Sequence, residues 1–498
     1  MAPVIIPIAI SVATAGVGFA VGAVSAAAAV FSVAATAVAA GYSYLTTPHS
    51  QGVGGVSPTP LLSGPARFAD GGGSAALAGY AVNEQRPYAV RQPTPPRRFA
   101  YGRLRVGGAV LYQDTANPYL LVITALSDGT ISEIEKLYLG EDAVTVDGSG
   151  DAISGTRFYQ RVKVELSGTG ADAQTRSALA VATVTTLPTS FKQSGIARGV
   201  VRLDWGPDAS THNYVYGTGV EPAFLVKGVK VHDPRDAAQS ATDPSTWAYS
   251  DNPALCVAHA IICAWGVALD QSKLDWDSVA AAADVCAETI TFGSSSFKKF
   301  TLAGVFQSDQ TLAAQVAQML TAFDGIISYS DGLYSIKASE AASSVTTFTD
   351  DDIIGIEDFA HEMPAASLFT AIKATYYDAD TSGRKLMTPV IDQTSAFGET
   401  EVRETAVDLP FTPKGFSAQI LAYRRLQASR SAVPLSIRLR DCGIFLDAGD
   451  VFTIQSDTMP FLDGEWRAVQ IDLSGVGCIV AARKYVPAMY SDPATYLV

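Results

Sequence analysis

Ile326-Ile327-Ser328-Tyr329 and Leu333-Tyr334-Ser335-Ile336-Lys337-Ala338 flank Ser330-Asp331-Gly332, and this stretch reads as a β-hairpin. Asp-Gly accepts the positive φ that a type I′ turn demands. Directly upstream, Leu312, Val316, Met319, Leu320 and Phe323 recur at helical spacing between Ser308 and Phe323, and Gly325 stops the turn. Two more helices are expected before it. Asp251-Asn252-Pro253 supplies a capping side chain and a first-turn proline for a helix carrying Leu255, Ala258, Ile262 and Trp265, closed by Gly266. A second helix runs from near Asp277 to Glu288. Helices followed by a hairpin define an α+β module over 236–345.

On both sides the pattern changes to strands. Leu104–Tyr112, Tyr119–Leu126, Ile131–Leu139, Phe158–Leu166, Gly199–Trp205 and Phe224–Val231 form a first β domain over 96–235, with an insertion at about 141–198 that holds a helical Ala171–Thr185. Downstream, Ala371–Tyr377, Leu435–Arg440, Val451–Ile454, Trp466–Asp472 and Cys478–Arg483, with one helix near Ser417–Arg430, make a second β domain over 346–498. The fold class expected is therefore mainly β with an α+β module between two β domains. A length of 498 residues accommodates about three domains.

Residues 1–45 stand apart. From Met1 to Ala66 there is no Asp, Glu, Lys or Arg, and Val4–Leu45 is almost wholly Ala, Val, Ile, Gly and Phe. Water alone cannot cover such a segment. It lacks the positive n-region of a secretory signal, and Gly18, Gly22 and Ala26 place small residues on one helical face, which favours close helix packing. Two readings stay open: an apolar N-terminal helix buried inside an assembly, or a membrane-inserting one. Residues 46–95 follow as a Gly/Pro/Ser-rich linker, including Gly71-Gly72-Gly73.

The formal charge of −14 argues against a surface that tracks nucleic acid along its whole length, because phosphate binding draws on clustered Lys and Arg. One basic stretch exists. Arg86, Arg91, Arg97, Arg98, Arg103 and Arg105 succeed one another without an intervening Asp or Glu. It reads either as a solvated arm or as a docking element for an acidic neighbour or for DNA.

Signals for catalysis are weak. Cys256, His259 and Cys263 share a helical face, with Cys286 as a conceivable fourth ligand, yet sulfurs on so apolar a helix read more simply as core atoms. Five cysteines without CxxC spacing indicate neither a disulfide framework nor a zinc knuckle. Asp350-Asp351-Asp352 lacks the spaced oxygens and closing Glu of a calcium loop and reads as a turn or cap. No Walker loop, GxSxG elbow or HExxH is present. No cofactor and no catalytic residue are expected.

Several blocks together resemble the hub portion of phage tail tip attachment proteins, the lambda-like host-specificity family. They are Pro95-Pro96-Arg97-Arg98-Phe99-Ala100-Tyr101-Gly102-Arg103-Leu104-Arg105-Val106-Gly107-Gly108; Leu121-Val122-Ile123-Thr124-Ala125-Leu126-Ser127-Asp128-Gly129 with Ile134-Glu135; Val229-Lys230-Val231-His232-Asp233-Pro234-Arg235; Trp247 to Cys256; and Ala448-Gly449-Asp450-Val451. Their order matches the family's over roughly 95–485. The resemblance implies two tube-like β domains per subunit, assembled as a homotrimer into a pseudo-sixfold ring that adapts the hexameric tail tube to a threefold tip. Implied partners are the distal tail protein ring, the tape measure protein, tip or fibre proteins, and passing phage DNA without sequence specificity. The implied location is the virion tail tip, after assembly in the host cytoplasm. Receptor binding is expected of separate fibre or tip proteins, because no fibronectin-like repeats follow the second β domain. The apolar start then suggests a plug of the channel or contact with the host membrane. The alternative classes are a tail-associated peptidoglycan hydrolase and a stand-alone membrane-inserting protein.

Overall fold

The computed structural model describes residues 94–497, with 89 and 91, apart from 117, 205–221, 264–265, 360–367, 381–382, 432, 441–442, 444 and 474–476. The expectations for residues 1–45, and for the linker up to residue 88, lie outside the described residues.

The first strand region splits at Gly107-Gly108. Arg103–Val106 pairs with Pro222–Val231, in a five-stranded sheet with Ile131–Leu139, Asp142–Val144 and Ala248–Tyr249. Ala109–Ala116 instead opens a four-stranded antiparallel sheet with Tyr119–Asp128, Ile196–Asp204 and Val162–Glu165. The expected strand Leu104–Tyr112 is therefore two strands in two sheets. Gly108 makes the switch at φ +68, where a Cβ would sit 2.1 Å from the Ala125 carbonyl oxygen. Both faces of the four-stranded sheet are covered: Leu121, Ile123 and Val200 meet the short helix Ala178–Thr183, and Leu120, Val122, Val201 and Leu203 enter the main core. This helix is shorter than the expected Ala171–Thr185, starting where the Ser177 side chain accepts from Ala180 N.

The middle region carries helices at Pro253–Ile262, Trp276–Ala287 and Leu312–Leu320; the Asn252 and Asp275 side chains cap the first two, and Thr311 stands at the start of the third without a side-chain bond to it. The third begins later than Ser308 because Gln307 is held in a strand. Gly304–Gln307 pairs antiparallel with Arg98–Tyr101, and Gln315 Nε2 donates to the Gln307 carbonyl oxygen at 2.7 Å. The expected hairpin is present, Gly325–Ser330 against Leu333–Ala338, with Asp331 at φ 52 and Gly332 at φ 84 as a type I′ turn requires. A second hairpin, Thr289–Phe292 with Ser295–Lys298, lays Phe297 on Phe416 with ring centroids 4.6 Å apart.

Beyond residue 346 there are two sheets with different allegiances. Ala371–Tyr377 pairs with Lys385–Met387, Ile391–Asp392 and Glu404–Asp408. The long helix Gly415–Ser431 packs against this sheet, and its Ala418, Ile420, Leu421, Ala422 and Leu426 join the same core as Phe99 and Phe306. The other sheet has six strands in the order Thr347–Phe348, Val451–Ile454, Gly464–Leu473, Cys478–Lys484, Pro434–Leu439, Ile353–Phe359. Its two outermost strands are consecutive in sequence, so the sheet curls around its own core of Phe348, Ile437, Phe452, Trp466 and Val480. Apolar burial thus crosses positions 235 and 345. It separates a large body from a curled six-stranded unit.

Candidate functional site

The arginine stretch divides between exposed and buried positions. Arg86 lies outside the described residues, and Arg91 is exposed. Arg97 is exposed and ion-paired with Asp128. Arg98 is buried, donates from Nη1 to the Gly108 carbonyl oxygen at 3.2 Å, and is less basic than usual because burial penalises its charge. Arg103 reaches Glu135 at 2.9 Å and also ion-pairs with Asp380. Arg105, 3% exposed, contacts Glu141 at 3.3 Å, and Glu141 in turn binds Arg384 at 2.6 Å. From Arg98 onward these residues occupy strands, not a free arm.

Their partners show what they do. Asp380 and Arg384 belong to the turn after Ala371–Tyr377, whereas Glu135 and Glu141 belong to the first sheet region. The turn is pinned onto the five-stranded sheet by alternating charges, and Lys414 adds a contact to Asp380 at 3.3 Å. Gly383 at φ +65 lets the backbone approach, since a Cβ there would stand 2.9 Å from Arg105 Cβ. A strand alternation shows which side chains share a face. It cannot show that Arg103 and Asp380, 277 positions apart, neutralise each other.

A second polar junction lies between the large body and the curled unit. Arg424, buried in the long helix, donates to the Ser339 carbonyl oxygen at 2.6 Å and to Glu340 Oε1 at 2.7 Å. Lys299 meets the same carboxylate at 3.0 Å. From the curled unit, Arg467 donates to Ser339 Oγ at 2.7 Å and to the Glu340 carbonyl oxygen at 2.5 Å, and it bonds the Tyr490 hydroxyl. Sequence reading missed this cluster; the available signal was Arg424 at helical spacing from Leu421 and from Ala428, on the side of the helix that is otherwise apolar.

Cys256 and His259 are buried on the Pro253–Ile262 helix, and Cys263 caps its end. Tyr101 Oη lies 2.8 Å from His259 Nδ1, and the Trp247 ring stands edge-on at 5.6 Å. Burial lowers the His259 pKa to about 4 and pushes the Cys286 thiol up to about 12. A neutral imidazole and protonated thiols are core components. Among the described residues no group of His, Cys, Asp and Glu is arranged to hold a metal ion. Asp350 accepts from the Ser456 hydroxyl and from Thr458 N at 3.0 Å, and Asp352 accepts from Thr349 N at 2.9 Å, so these two carboxylates cap turns. No helix among the described residues is long and apolar enough to cross a membrane.

Residues 313–472 match a family model described as putative phage tail protein. The segment runs from the helix Leu312–Leu320 into the strand Gly464–Leu473, taking in the hairpin, the long helix and most of the curled sheet. The match covers about a third of the chain, and the class that this segment resembles is a phage tail protein. Among solved structures, a chain from the virion of a native gene transfer agent particle is similar with a TM-score of 0.54 at 16% identity, covering 84% of this chain and 94% of that one. That likeness is one of fold. A 43 kDa tail protein of prophage MuSo2 from Shewanella oneidensis aligns with a TM-score of 0.28 at 10% identity, over 80% of this chain and 100% of that one. Prophage tail protein gp18 from Listeria monocytogenes EGD-e gives 0.26 at 10%, over 80% and 99%. No curated protein matches the chain.

Proposed function

We propose that this chain is the structural hub of a phage-type tail tip, a homotrimer whose two strand-rich regions alternate around a pseudo-sixfold ring between the hexameric tube and a threefold tip. The observation that carries this reading is the seam between Arg103, Arg105, Glu135, Glu141, Asp380 and Arg384. A ring subunit that presents two similar edges must hold them at a constant angle, and a network of paired charges over a shared core supplies that rigidity. The match of residues 313–472 to a phage tail family supports the same class.

In this role the chain performs no chemistry. It contacts the distal tail protein ring, the tape measure protein and the tip or fibre proteins, and DNA passes its channel without base recognition. Gly18, Gly22 and Ala26 mark the face on which residues 1–45 of three subunits gather as an apolar plug, which enters the host membrane on ejection. Native mass measurement on isolated tail tips tests the assembly: three copies per tip are expected, and any other stable stoichiometry refutes the ring.

A further inference from the structure

Between the large body and the curled six-stranded unit lies a partly open cavity of about 100 Å³, walled by Leu320, Ile326, Ile327, Ala428, Val469 and Met489. Charged groups at its rim already have partners. Arg467 is committed to Ser339, Glu340 and Tyr490, and Lys484 donates to the Asp463 carbonyl oxygen at 2.6 Å beside the Trp466 ring. What remains is an apolar hole. An enclosed apolar cavity of ~150 Å³ takes up benzene, so one of this size suits a single branched aliphatic side chain.

From these features we infer that the cavity is a latch for the chain's own apolar segment, receiving one Ile, Val or Leu side chain from residues 4–45. Three observations select this occupant. The segment carries no charge up to Ala66 and holds Ile5, Ile6, Ile8 and Ile10, each of which gains by leaving water. The chain joins the body beside the cavity's own helix: Arg97 N donates to Ser308 Oγ at 2.9 Å, and Ser308 N donates to the Arg97 carbonyl oxygen at 3.0 Å. Ser308 lies just before the helix that ends at Leu320 in the cavity wall, a separation of roughly 20 Å at 1.5 Å per residue. The linker before Thr94 spans roughly 35–40 Å as a flexible chain. It reaches the hole with slack.

The latch rests on the proposal that residues 1–45 act as a covered segment, and it adds where the segment is held before release. A photoreactive p-benzoylphenylalanine in place of Val469, in the full chain within assembled tails, tests it directly. Cross-linked peptides from residues 4–45 are expected. Cross-links only to residues 443–450 of a second copy, where Phe445 is 87% exposed, would overturn it, as would links only to another tail protein or none from a folded chain. Val469→Trp supplies the second arm by filling the hole. Chymotryptic cleavage within residues 1–45 should then accelerate about tenfold at an unchanged unfolding midpoint, because cleavage follows the released population. An unchanged cleavage rate refutes the latch. If cross-links form but virions without residues 1–45 infect normally, the latch stands and the plug role falls.

Discussion

Tyr101 Oη and His259 Nδ1 lie 2.8 Å apart in the core, tying the strand Arg98–Tyr101 to the helix Pro253–Ile262 across 158 positions of sequence. Both side chains are buried, and His259 is held neutral there. This pair fixes how the first strand region sits on the helical one, and it also sets a pH limit on stability.

The His259 pKa is about 4 in the folded protein, against an ordinary value of 6.5. Below pH 6.5 the unfolded chain takes up a proton that the folded chain refuses. Stability is therefore full above pH 6.5 and falls as pH drops towards 4, by about 3 kcal/mol from this residue alone. Urea denaturation at pH 7 and pH 4.5 should show the loss, and His259→Gln should remove most of that difference. Purified protein should contain no stoichiometric zinc; zinc lost on the same substitution would contradict the core reading.

Arg424→Met should destabilise the chain by about 3–5 kcal/mol, because Glu340 would keep a carboxylate at a crowded junction with Lys299 as its remaining partner. The double change Arg424→Met with Glu340→Gln should recover part of that loss. Thermal unfolding of the three chains measures the coupling.

Gly102 holds φ +67 between two strands, and a Cβ there would stand 1.8 Å from the Leu302 carbonyl oxygen. Gly102→Ala should cost at least about 3 kcal/mol or prevent folding, since neither backbone can yield without breaking the pairing of Arg98–Tyr101 with Gly304–Gln307. Expression yield and denaturation midpoint report it.

Asp380→Asn removes a half-exposed partner of Arg103 and should cost less than about 1 kcal/mol. The turn around Gly383 should nevertheless be cut faster in limited proteolysis, and more so at high salt. If ring assembly depends on this seam, the same variant should assemble less efficiently while folding normally.

Gly22→Asp would place a carboxylate on the small-residue face of residues 1–45. Ring assembly should survive and infection should fail at DNA delivery. Normal infection by such virions would show that the segment is packing material only.

Much of the local structure was readable from residues alone. Ile131–Leu139 and Ala371–Tyr377 appear with the bounds that their alternation indicates, and the Asp331-Gly332 turn follows from the conformations these residues tolerate. Asn252-Pro253 likewise marks a helix start because the cap and the missing N–H act within one turn. These are short-range effects, and periodicity reports them. Other features depended on residues far apart in sequence. The split at Gly107-Gly108 is set by the Ala125 carbonyl, the conversion of the arginine stretch into a seam needed Asp380 and Glu141, and Arg424 became a junction only where Ser339, Glu340 and Tyr490 converged. Sequence by itself determined the strands Ile131–Leu139 and Ala371–Tyr377, the Asp331-Gly332 turn and the helix start at Asn252-Pro253, because propensity and burial pattern are local. Tertiary structure alone decided which charges pair and where the two cores divide, because Coulomb attraction and close packing depend on distance in space.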